Sequence, residues 1–242
     1  KTMIRAIFTA ATAALLALAP AVHAASYPTK TVRMVIAFSP GGPSDILSRL
    51  IGSKLSERMG QPFVFDNRPG AGGNVAGEIV ATSPADGYTL MIANNSVLAA
   101  NASLYKKMTF NPAKDLVPVV WVASQPNILV VHPSMPVKSV KELVAFLKMH
   151  PGQVNYASSG NGAAAHLAAE LFKSMTKTDM LHIPFKGAAP ALTDVIAGRS
   201  QVIFATALSV KSYLEARRLR PLAVTTSTRM ATMPELPTVA EA

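Results

Sequence analysis

Residues 32–55 read VRMVIAFSPGGPSDILSRLIGSKL. The first seven are apolar except Arg33, the pattern of a strand buried on both faces of a parallel sheet. The run breaks at Ser39-Pro40-Gly41-Gly42-Pro43. Apolar residues then recur at Ile46, Leu47, Leu50, Ile51, Leu55 and Met59, which is helical spacing. A strand therefore hands over to a helix across two glycines set between two prolines. A helix N-terminus exposes unpaired N–H groups and carries partial positive charge. Glycines let an anion approach those groups closely. Pro40 and Pro43 stiffen the loop, Gly41 and Gly42 clear space, and Ser44 or Asp45 is the expected cap.

The same alternation continues outward. PFVFDN, YTLMIA, VPVVWVAS and NILVVHP read as strands, with GGNVAGEIVATS and part of NSVLAANASLYKK as helices. It then restarts with helix SVKELVAFLKMH, strand QVNYASS and helix AAAHLAAELFKSM. MLHIPF, APALTDVIAG, SQVIFAT, SVKSYLEAR and LRPLAVTT extend the pattern. Such alternation predicts an α/β protein of parallel sheets covered by helices. Two successive sets predict two lobes with a ligand cleft between them, the alternative being one doubly wound domain. The first lobe is expected over 25–125, with 226–242 returning to it, and the second over 126–225. The joint falls near 124–127 and the return crossing near 222–225.

The N-terminus carries Lys1 and Arg5, an apolar run over 6–19, and Val22-His23-Ala24. This is the form of a secretory signal peptide over 1–24, too short for a membrane span. The mature chain is expected to be exported, to the periplasm. It has no cysteine, so disulfides contribute nothing to its stability. The formal charge is +10, and removing Lys1 and Arg5 leaves 21 basic against 13 acidic residues, a balance of +8. The basic residues are scattered. The one dense cluster, EARRLR at 215–220, suits the C-terminal end of a helix. No basic arm is interleaved with aromatics, which argues against nucleic-acid binding.

Ligands of open α/β sheets sit beyond the carboxyl ends of the strands. Two loops there are alike: FSPGGPSD and YASSGNGAAAH, residues 156–166. Each follows a strand, is rich in Gly and Ser, and opens a helix. Neither contains Lys or Arg, which points to backbone amides, hydroxyls and water holding a small carboxylate. NRPGAGGN is a third Gly-rich stretch, read either as part of the same wall or as a plain connecting turn. Lys186 could neutralise an anion or be an ordinary solvated lysine.

Other chemistry fits poorly. GNGAAA has the dinucleotide spacing at Gly160, Gly162 and Ala165, but the next strand ends in Pro184-Phe185 with no acidic residue. GAGGNV has Val75 where the third glycine belongs. There is no P-loop and no G-x-S-x-G, since Ala157 and Asn161 flank Ser159. The histidines His132, His150, His166 and His182 are far apart, and His166 with Glu170 alone makes no metal cluster. No catalytic residue, metal or cofactor is assigned.

The chain resembles the exported solute receptors of the tripartite tricarboxylate transporter family, also called Bug-type receptors. The resemblance rests on YPTKTVRMVIAFSPGGPSDILSR, FDNRPGAGGN, PADGYTLMIA, PSMPVKSVKELVAF, VNYASSGNG, HLAAELFKS, PFKGAAPALTDVIAG and LPTVAEA. It implies a periplasmic binding protein of type II-like fold, two α/β lobes joined by crossing hinge strands. It implies an organic carboxylate between the lobes, held partly through water, and delivery to large and small membrane subunits. Carried over residue by residue, the ligand site is Phe38, Pro40, Gly41, Gly42 and Asp45 in the first lobe. In the second it is Ser158, Ser159, Gly160, Asn161 and Gly162, with His166 nearby and Lys186 in a matching segment. The resemblance further implies a monomer without cofactors.

Two departures matter. Members often carry Asp-Asn after the strand that here reads VIFAT, where this chain has Ala205 and Thr206. If that acid meets an amine, amino-acid ligands are disfavoured here. The family also continues past PTVAEA, so this chain reads as a fragment whose first lobe leaves some apolar surface bare. The leading reading is a solute receptor and not an enzyme. A sensory carboxylate receptor and a secreted α/β enzyme are its rivals.

Overall fold

A computed structural model describes residues 27–242, so the expected signal peptide over 1–24 lies outside the described residues. The first sheet holds β1 Val32–Ile36, β2 Phe63–Asn67 and β3 Thr89–Ile92 in the order β2-β1-β3, all parallel. β1 is central, and Val32, Val35 and Ile36 are fully buried, as its apolar run requires. Val35 and Phe38 pack with Val97 and Phe110 on one side, while Val32 and Met34 pack with Phe63 on the other.

Helix α1, Pro43–Met59, follows the first loop. Its N-cap is Gly42 with Pro43 in the first turn, so neither Ser44 nor Asp45 is the cap. The expected apolar face also shifts. Ile46 and Leu50 are exposed, and the buried line is Asp45, Ser48 and Gly52. The cause is close packing, because a Cβ on Gly52 would stand 2.6 Å from the Phe65 ring. Small residues let the helix lie directly on β2. The first lobe adds α2 Asn74–Ala81, a π turn over Ser96–Ala100, α3 Asn101–Leu104 and α4 Pro112–Asp115.

VPVVWVAS forms no strand. Residues 116–126 have no regular structure, and Val117, Val119, Val120 and Trp121 are 75–84% exposed. The pattern suits a strand, but among the described residues no strand pairs with it.

The second sheet holds β4 Asn127–Val131, β5 Asn155–Ser158, β6 Leu181–Pro184, β7 Val202–Thr206 and β8 Arg220–Val224. Its order is β6-β5-β7-β4-β8. β5 runs parallel to β6 and β7, whereas β4 is antiparallel to β7 and β8. The expectation of parallel sheets is thus corrected to a mixed sheet here. Strands buried on both faces carry the same apolar run in either direction, so the sequence does not distinguish them. Helices α5 Val140–Met149 and α6 Ala164–Thr176 cover one face, and α7 Ala188–Ile196 and α8 Ala207–Glu215 the other. Alternate β4 residues divide between the two cores: Leu129 and Val131 in one, Ile128 and Val130 in the other. Each such fully buried side chain contributes about 1.5–3 kcal/mol.

The segment after β8 does not return to the first lobe as expected. Thr238 bridges to Val224, Val239 N–H donates to the Val224 carbonyl, and Leu236 is buried in the second lobe's core. The free edge of β8 captures it. No helix among the described residues is long and apolar enough to cross a membrane.

Candidate functional site

The loops after β1 and β5 both face the junction of the lobes. The first loop is tied down from behind. Asp45, 4% exposed, accepts from Gly41 N–H at 3.0 Å, from Arg49 Nε at 3.0 Å and from Asn67 Nδ2 at 3.0 Å. Burial alone would raise this carboxyl. The hydrogen bonds from Arg49, Gly41 and Asn67 outweigh it and hold the group below the usual carboxylate range. Asp45 is therefore a loop tether whose oxygens are already taken. The Asn67 amide also donates to the Phe38 carbonyl at 3.0 Å.

The front of this loop meets the second lobe. Ser39 donates to the Lys186 carbonyl twice, from its backbone N–H at 3.1 Å and its hydroxyl at 2.8 Å. Gly187, φ +154°, is the N-cap of α7, and a Cβ there would stand 2.9 Å from Ser39 N. Gly41, φ +78°, faces Ala189, and Gly42 faces Ala188. Pro40 is exposed at the loop tip. The first loop thus opposes residues 186–189, the segment that carries Lys186.

A second seam joins the lobes below it. Gly72, φ +63°, lies so close to the second lobe that a Cβ would meet the Asn161 carbonyl at 2.7 Å. Gly162 packs as tightly against Asn101 Oδ1, again 2.7 Å from an added Cβ. Asn101 Nδ2 holds the glycine loop in place by donating to the Gly72 carbonyl at 3.1 Å and to Asn74 Oδ1 at 2.6 Å. Among the described residues Asn101 Oδ1 has no donor. NRPGAGGN is therefore a wall of the cleft and not a plain turn, and its run of glycines was the available signal. Asn101 gave no such signal, because nothing in its local sequence marks it.

Between the two seams lies a space of about 30 Å³ lined by Phe38, residues 70–73, Ser159, Phe185 and Lys186. It has room for about one or two waters. Lys186 is the one basic residue on this lining, and its carbonyl is the atom that meets Ser39. A larger, mostly apolar hollow of about 390 Å³ is lined by Val140, Lys141, Val144, Phe172, Thr176 and Val239 and includes neither loop.

The loop after β5 is held from within its own lobe. Gly160 N–H donates to Ser158 Oγ at 3.1 Å, and Ser158 Oγ lies 2.6 Å from His182 Nε2. Gly162 N–H donates to His166 Nδ1 at 3.2 Å. The amides of Gly41, Gly160 and Gly162, expected to meet a ligand, are thus engaged by protein groups. The rings of Tyr156, His182 and His166 stack in that order, with centroids 4.7 Å and 4.3 Å apart. Burial, reinforced by His166, pushes His182 down to about 4, and burial also lowers His166. Glu170 accepts from Tyr156 Oη at 2.6 Å and from Lys173 at 2.9 Å, so it is not free to hold a metal with His166. His132 and His150 make local contacts, with Ser134 and the Phe146 carbonyl. Among the described residues no three His, Asp or Glu side chains converge.

Known proteins match this chain in sequence and fold. The model of the tripartite tricarboxylate transporter family receptor matches residues 47–242. A UPF0065 protein from the tcbD-tcbE intergenic region of Pseudomonas sp. (strain P51) is 36% identical over 217 residues, 90% of this chain. Protein BugT of Bordetella pertussis is 36% identical over 225 residues, 93% of this chain. The chain spans 64% of the first relative's length and 69% of the second's. Among solved structures, R. palustris Rpa4515 with adipate superposes with a TM-score of 0.88 at 44% identity, over 89% of this chain and 72% of that one. MatC from Rhodopseudomonas palustris with bound malate gives 0.85 at 29% identity, over 89% and 74%.

Proposed function

This chain belongs to the tripartite tricarboxylate transporter receptor family, and on that premise we propose that it is a periplasmic receptor for a small mono- or dicarboxylate. It binds the ligand between its lobes and releases it unchanged, without a cofactor. The observation that carries the reading is a small space between the lobes, walled by Phe38 and the glycine loop 70–73 from the first and by Ser159, Phe185 and Lys186 from the second. That space is too small for a dicarboxylate, so the ligand displaces the Ser39–Lys186 contact and keeps the lobes wider there, while the Gly72–Asn161 seam re-forms around it. On closure, the Ser39 and Ser159 hydroxyls, nearby loop amides and ordered water surround the carboxylate, with the Lys186 ammonium neutralising it. Removal from bulk water strengthens each of these contacts. The ligand-bound closed form is the one that large and small membrane subunits recognise, because ligand shifts the open–closed population. The receptor acts as a monomer.

Rpa4515 and MatC, with adipate and malate, support a dicarboxylate class. Ala205 and Thr206 offer no acidic group to an ammonium, which argues against amino acids. A thermal-shift screen tests the reading. Ligand at a hundred times its Kd adds about 2.7 kcal/mol of stability. Adipate or malate should raise Tm clearly, and glutamate should not. A shift from a nicotinamide dinucleotide alone would overturn the proposal.

A further inference from the structure

Behind the loop after β5, two imidazoles hold the backbone that faces the cleft. The His166 ring takes the Gly162 N–H on Nδ1 at 3.2 Å, an atom that can accept only while it carries no proton. That fixes the tautomer, with the proton on Nε2. His182 stacks on His166 at 4.3 Å and reaches Ser158 Oγ at 2.6 Å, and that hydroxyl takes the Gly160 N–H. Gly160 and Gly162 have φ of +131° and +76°, backbone conformations that residues with a side chain rarely adopt.

We propose that His166, backed by His182, is a positioning residue for ligand binding: its unprotonated Nδ1 sets the Gly162 backbone and so aims the 158–162 loop at the ligand. His166 acts through the loop and does not touch the carboxylate. This rests on the reading of that loop as the carboxylate site.

The surroundings keep the ring in the required form. Tyr156 from β5 stacks on the far side of His182 and donates its hydroxyl to Glu170 of α6. Glu170 favours a protonated His166, but burial outweighs it and Lys173, paired with Glu170 at 2.9 Å and 3.6 Å from Asp179, opposes it. Burial lowers His166 from its ordinary value, so Nδ1 is unprotonated at pH 7.

The test compares His166→Asn, whose Oδ1 can replace Nδ1 as acceptor, with His166→Leu, which has none. Adipate is titrated calorimetrically into each at pH 7. His166→Asn should bind within about threefold of the parent and His166→Leu at least about tenfold more weakly. Equal affinity of the Leu variant and the parent overturns the proposal, and so does an Asn variant as weak as the Leu variant. A second readout needs no ligand and no Leu variant. In the ligand-free parent, the Gly162 amide resonance should move on acidification together with the His166 ring signals, and it should stay still in His166→Asn. A Gly162 amide that ignores His166 titration in the parent overturns the proposal as well. If adipate binds none of the proteins, adipate recognition has failed, and the amide titration alone decides the role of His166.

Discussion

Gly72 shows how much rests on one hydrogen atom. Its φ of +63° and the 2.7 Å from a would-be Cβ to the Asn161 carbonyl leave no place for a side chain while the lobes are together. Gly72→Ala carries about 1–2 kcal/mol of left-handed backbone strain. Beyond that strain, the methyl opposes closure specifically. We expect adipate affinity to drop at least about tenfold, about 1.4 kcal/mol, with Tm lowered by only a few degrees. Calorimetry beside a melting curve checks this, and unchanged affinity would remove Gly72 from the closure seam. His182 gives a pH signature. Its ring is held at about 4, below the 6.5 ordinary for histidine, so the unfolded chain binds the extra proton first. Its contribution to stability is complete above pH 6.5 and is lost as pH falls towards 4. Melting curves across that window should fall more steeply for the parent than for His182→Gln, and parallel curves would contradict the assignment.

At the scale of elements, what the sequence revealed depended on whether the signal was local. The strand–loop–helix of 32–59 is legible because apolar runs and glycine-proline punctuation are local features. The face that α1 buries is not, because it depends on Phe65, a neighbour on another strand, and on the smallness of Ser48 and Gly52. VPVVWVAS has every local feature of a strand and forms none, since a strand requires a partner that its own sequence does not contain. Likewise His182 and Asn101 reach the site only through tertiary packing, whereas both Gly-Ser loops could be named from spacing and resemblance. The exposed segment has a direct readout. Trp121 is the sole tryptophan and is 83% exposed. Its fluorescence should peak near that of free tryptophan and be readily quenched by acrylamide. A blue-shifted, quench-resistant emission would mean that the segment is covered.

Over the whole molecule, two α/β lobes keep separate cores and meet through polar and glycine contacts. Such a junction gains little from apolar burial, so the lobes can part at small cost. Most of the described stability lies within each lobe, and ligand supplies the bias towards closure. The tether at Asp45, the Asn101 clamp on the Gly72 loop and the His166 contact share one feature: each fixes a cleft loop from behind, leaving the front for the ligand. Preformed loops reduce the ordering cost of binding.

The most direct measurement is a titration of adipate into the isotopically labelled 25.4 kDa protein, followed through its backbone amide resonances. The account predicts that Ser39, Gly42, Gly72, Ser159 and Asn161 shift together and saturate with one dissociation constant, since one carboxylate is held from both lobes. Binding that perturbs only one lobe, or only the apolar hollow near Val144 and Phe172, would contradict it.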